Sequence, residues 1–116
     1  MSTSSQAATQ AYRTASSYRS QRAKEADVFH YAIAMLKGAK GADSIEKVRA
    51  LADNRRLWMT VNAQLRDPAN ELPEPLRASI LSVGATVQRE MDNENPDFDF
   101  LISVNENIAA GLAGQP

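Results

Sequence analysis

Between residues 51 and 65 the bulky side chains recur at steps of three and four: Leu51, Asn54, Trp58, Val61 and Leu65. That spacing aligns all five on one stripe of an α-helix and scatters them over both faces of a strand. Similar stripes return at Leu76, Ile80, Val83, Val87 and Met91, and again at Leu101, Asn105, Ile108 and Leu112. No segment alternates with period two, so no sheet is indicated and the chain is predicted to be all-α. Two of the stripes contain an asparagine. A buried amide without a partner costs roughly 1–3 kcal/mol. Asn54 and Asn105 therefore need each other, a nearby backbone carbonyl, or a group on a partner chain. Amides so placed fix register and partner choice in bundles.

The punctuation separates about four helices. A first runs from roughly Ser17 or Ser20 to Lys40 and ends near Gly38 and Gly41. Asp43 and Ser44 cap a second, which reaches about Leu65. A loop with two prolines, Asp67 to Pro73, leads to a third helix with Pro75 in its first turn. An acidic turn, Asp92 to Pro96, precedes a fourth beginning near Asp97. Short loops between such helices predict a small bundle, with a three-helix core and a loosely attached fourth helix as the alternative. Residues 1–15 are small and polar apart from Tyr12, and are expected to form a flexible, mobile N-terminal arm on a single bundle domain, 16–116. Gly84 lies mid-helix, where close approach of a neighbour usually compensates its cost of about 1 kcal/mol relative to alanine.

From Val28 to Leu36 the first helix is apolar at every position but His30. A one-sided surface helix needs only a stripe. This belt offers two sides, Val28, Ala32 and Met35 on one and Phe29, Ile33 and Leu36 on the other, enough to serve core and partner at once. Trp58, the only tryptophan, is expected to anchor the second helix against the fourth with a buried indole.

Composition removes most chemistry. There is no cysteine and one histidine, so a metal site of nitrogen and sulfur ligands is not expected. The acidic turn lacks the glycine and the bidentate glutamate of a calcium loop. No phosphate-binding glycine loop is present and no serine stands beside a base, so neither an enzyme nor a cofactor protein is expected. No apolar run approaches the roughly 20 residues of a membrane span, and the first ten residues lack a signal core; a cytoplasmic protein is expected. The net charge of −1 conceals two halves: residues 1–66 carry 11 Lys and Arg against 5 Asp and Glu, and residues 67–116 carry 2 against 9. The halves are expected to fold against each other and cancel. Arg13, Arg19, Arg22 and Lys24 precede the first acidic residue, Glu25. Such an arm suits an acidic partner. Nucleic acid is disfavoured, because aromatics do not interleave with these charges or with Arg55 and Arg56.

Three blocks resemble the flagellar biosynthesis regulator FlaF family of alphaproteobacteria. They are Asn54-Arg55-Arg56-Leu57-Trp58, then Leu72-Pro73-Glu74-Pro75-Leu76-Arg77-Ala78-Ser79-Ile80, then Leu101-Ile102-Ser103-Val104-Asn105 with Ile108, Gly111 and Leu112. The resemblance implies an all-helical cytoplasmic protein needed for flagellin production and export, acting beside a flagellin translational regulator. A chaperone of flagellin is the mechanism it favours. Flagellin's terminal amphipathic helices pair only on polymerisation and are exposed until then, and a helical protein with spare apolar surface could shield them by helix-in-groove docking. On this reading the candidate partner-binding residues are Phe29, Ile33, Leu36, Asn54, Trp58, Val61, Leu65, Leu101, Asn105 and Ile108. The alternative is a post-transcriptional regulator that acts through the basic arm on flagellin mRNA or on its translational repressor.

Overall fold

The structure is a computed structural model that describes the backbone of residues 3–112 and the side chains of residues 5–11, 13 and 25–112. Among these residues are four α-helices and no strand: α1 (Thr3–Ala39), α2 (Ser44–Arg66), α3 (Glu74–Met91) and α4 (Phe98–Leu112). The all-helical class expected from the sequence is what the chain adopts. Each helix packs on the next, and α4 closes the ring against α1, while α1 and α3, like α2 and α4, face each other across the interior.

The boundaries follow local chemistry. Asp43 caps α2 by accepting a hydrogen bond from the Glu46 amide at 3.0 Å. Asp97 does the same for α4, accepting from the Phe100 amide at 3.1 Å, while its own amide donates to Glu90 Oε2 at 2.9 Å. Between α2 and α3 the loop is tied by its own side chains. Asp67 Oδ1 accepts from the Ala69 amide, and Asn70 Oδ1 accepts from the Leu72 amide, both at 2.9 Å. Asn70 Nδ2 also donates to the Gln64 carbonyl at 3.0 Å, in the last turn of α2.

One boundary departs from the sequence reading. α1 begins at Thr3, not near Ser17 or Ser20, so the stretch expected to be an irregular arm is helical. Nothing from Met1 to Lys37 is glycine or proline, and Gln6, Ala7, Ala8, Gln10 and Ala11 favour the helix. A turn already held in the bundle removes the nucleation cost, so the helix propagates outward. The described side chains of this part, residues 5–11 and 13, are exposed. The molecule is accordingly elongated, 64 × 28 × 23 Å, with a radius of gyration of 17.6 Å, against about 13 Å for a compact chain of about 100 residues.

The core runs from Phe29, Ile33 and Leu36 of α1 through Leu57, Trp58 and Leu65 of α2 to Val87 and Met91 of α3 and Leu101 and Ile102 of α4. Phe29 meets Trp58 edge to face, ring centroids 5.8 Å apart at 87°, the favoured aromatic geometry. At Gly84 α3 lies tight against α2: a Cβ there would lie 2.9 Å from Asn62 Oδ1 and 3.2 Å from the Trp58 ring. Among the described residues, three ion pairs join the basic first half to the acidic second half, Lys37–Glu106, Lys40–Asp99 and Arg55–Asp92.

Candidate partner-binding groove

The ten residues singled out from the sequence divide into two groups. Ile33, Leu36, Asn54, Trp58, Leu101 and Asn105 are sealed inside the bundle. Phe29, Val61, Leu65 and Ile108 reach an open groove. Both sides of the α1 belt are largely core: Phe29, Ile33 and Leu36, offered as partner-binding, are buried, as is Ala32 on the other side with Met35 half-buried, whereas Val28 is 52% exposed. A belt apolar all round carries no azimuth. The positions of α2 and α4 decide which side is covered.

The asparagines take the first of the options open to them. Asn105 Nδ2 donates to Asn54 Oδ1 at 2.7 Å, and Asn105 Oδ1 accepts from Trp58 Nε1 at 3.0 Å. Asn54 Nδ2 in turn donates to Met91 Sδ at 3.3 Å. Both asparagines are fully buried and Trp58 is 1% exposed. A directed chain of donors thus crosses the interior from the indole on α2 to α4, back to α2 and on to α3. It joins α2 and α4, whose backbones are not neighbours. Trp58 therefore anchors α2 to α4, as the sequence suggested, and does so through a hydrogen bond as well as by packing. Engaged with these partners and fully buried, the amides present nothing to another chain.

The groove lies at the end of the bundle where α1 enters and α2 and α4 finish. Its floor is Phe29, Leu57, Leu65 and Ile80, all buried, with Val28, Val61, Leu72, Ile108 and Leu112 along its sides. Glu25, Thr60, Gln64, Asn70 and Glu71 supply the polar edge. The volume is about 250 Å³, below the roughly 300–1,000 Å³ of pockets that hold small molecules. It suits one or two bulky apolar side chains projecting from a helix. The Asx turns at Asp67 and Asn70 fix the loop that carries Leu72 into the wall. Sequence reasoning missed Val28, Leu57, Leu72, Ile80 and Leu112 as apolar groove residues. Leu72 could have been suspected, since it is a large apolar loop residue with no stripe to join, and Leu112, since it ends the α4 stripe where the helix finishes.

Among the described residues no group of His, Cys, Asp or Glu is arranged to hold a metal, and no helix is long and apolar enough to cross a membrane. The acidic turn has a structural use. Arg55 donates to Asp92 Oδ1 at 2.9 Å and Gln88 donates to the same oxygen at 3.2 Å. The Arg55 guanidinium, with help from Gln88, holds this carboxyl below its ordinary value.

A family profile described as flagellar protein FlaF matches residues 8–112. The chain belongs to the FlaF family. Neither the curated proteins nor the solved structures contain a match to it. The FlaF match starts at Ala8, inside the outer part of α1, and takes in every residue of the groove and of the amide network. The sequence block around Asn54 and Trp58 and the block around Asn105 thus meet in space as the two sides of one buried polar contact.

Proposed function

We propose that this FlaF-family protein is a cytoplasmic flagellin chaperone that takes an amphipathic helix of unpolymerised flagellin into the groove between Val28, Val61, Leu72 and Ile108. The observation that carries the reading is the groove itself: an apolar, preformed depression at the open end of a bundle, of a size that suits helix anchors. Membership of a flagellar family supports a flagellar partner. Shielding such a helix would keep exported flagellin from associating early, and would let flagellin synthesis be tied to the amount of free chaperone. Binding of purified flagellin, with and without its terminal helices, tests the idea. Val61→Asp, at a half-buried wall position, is expected to leave the circular dichroism spectrum intact and to weaken flagellin binding at least tenfold. Equal affinity for flagellin lacking its terminal helices would sink the reading.

A further inference from the structure

The groove opens where α1 leaves the bundle, and α1 does not stop there. Residues 3–24 continue as helix, roughly 33 Å at 1.5 Å per residue. Three groove residues, Glu25, Val28 and Phe29, lie on α1 itself. A helix seated against them at the shallow crossing of about 20° common in bundles stays beside α1 for several further turns. The charge pattern changes sign at this point. Glu25 and Glu71 edge the groove, whereas the sequence before Glu25 carries Arg13, Arg19, Arg22 and Lys24 and no acidic residue. The described side chains here include Ala7, Ala8 and Ala11, all exposed, which leave room for another backbone to approach.

We propose that the outer half of α1 is the second part of the docking surface, and that its occupant is the continuation of the groove-bound helix, a segment rich in Asp and Glu. This rests on the groove reading above. Complementary charge selects the occupant: a polyanionic nucleic acid would suit the extension but would be repelled by Glu25 and Glu71 beside it, and a helix with an apolar turn and an acidic continuation satisfies both parts. The contact adds length that the small groove lacks, and makes affinity depend on salt.

The chain contains no cysteine, so one introduced thiol reports one place. Flagellin monomer is titrated against the full chain, against the variant Arg13→Glu, Arg19→Glu, Arg22→Glu, Lys24→Glu, and against Val61→Asp. The reversed-charge variant is expected to keep its thermal midpoint, to bind at least tenfold more weakly, and to lose most of the salt dependence. In Ala11→Cys, thiol modification is expected to slow at least fivefold when flagellin is bound, while Val48→Cys, on exposed α2 surface, reacts unchanged. Unaltered affinity on charge reversal, or an unprotected thiol at position 11, would overturn the extended surface while leaving the groove standing. Undiminished binding by Val61→Asp would instead overturn the groove reading. If charge reversal abolishes binding of single-stranded RNA and leaves flagellin binding intact, the extension serves RNA and the proposal is wrong.

Discussion

Asn54, Asn105 and Trp58 form one unit, and a substitution at any of them is felt by the others. Asn105→Leu would strand the Asn54 oxygen and the indole N–H together. Each buried group left unsatisfied costs roughly 1–3 kcal/mol, so this single change should destabilise the protein more than Asn54→Leu, which strands one Asn105 donor and the Met91 sulfur, a weak acceptor. Chemical denaturation of both single variants and the double variant measures the coupling; additive effects would mean that the amide pair contributes nothing. Gly84→Ala carries a second residue-scale prediction. In an open helix the change stabilises by about 1 kcal/mol, but here the new methyl meets the fixed Trp58 ring and the Asn62 oxygen. A net loss of about 1–3 kcal/mol is expected, with a shifted indole emission. The third concerns Asp92, whose depressed acidity follows first from Arg55. A carboxyl whose folded pKa is lowered contributes stability above its unfolded value, about 3.9, and the contribution is lost as pH falls through the folded value. NMR titration should place the Asp92 midpoint below that of an ordinary aspartate, and Arg55→Gln should restore it.

At the scale of elements, α2, α3 and α4 were legible because each has a capping or proline signal at its start and an apolar stripe along its length. The beginning of α1 was not. Its first 20 residues have no apolar periodicity, and the composition resembles a disordered tail; the overlooked signal was an unbroken run of helix-permitting residues attached to a helix that the bundle already holds. The face of the α1 belt was illegible for a different reason, since Val28 and Phe29 are equally apolar and only the neighbouring helices distinguish them. Leu76 shows the same limit: it continues the α3 stripe yet is half exposed, because it lies at the start of the helix beyond its neighbours. Ile45 and Val48 are bare because α3 ends opposite Asn54 and Arg55, short of the first turns of α2. Since the described outer side chains of α1 bury nothing, deleting residues 1–20 should lower helical ellipticity while leaving the thermal midpoint almost unchanged. A fall of many degrees would show that the segment packs.

For the whole molecule, shape is the measurable property. Small-angle scattering of the full chain should return a radius of gyration near 17.6 Å, and removal of residues 1–20 should bring it toward the roughly 13 Å of a compact domain of about 100 residues. A full-length value already near the compact limit would mean that α1 folds back in solution. The directed chain of hydrogen bonds through the core has a further bearing on how the protein is made. Asn105 lies 51 residues after Asn54 and 47 after Trp58, so a ribosome releases the donors and acceptors of α2 well before their counterparts on α4 exist. Chains grow from the N-terminus and tend to fold as they emerge. A nascent helical hairpin of α1 and α2 holds an amide and an indole that only water can satisfy, and it cannot dry its interior until α4 arrives. Synthesis thereby defers closure to its final steps, and a chain released before α4 is made is left open.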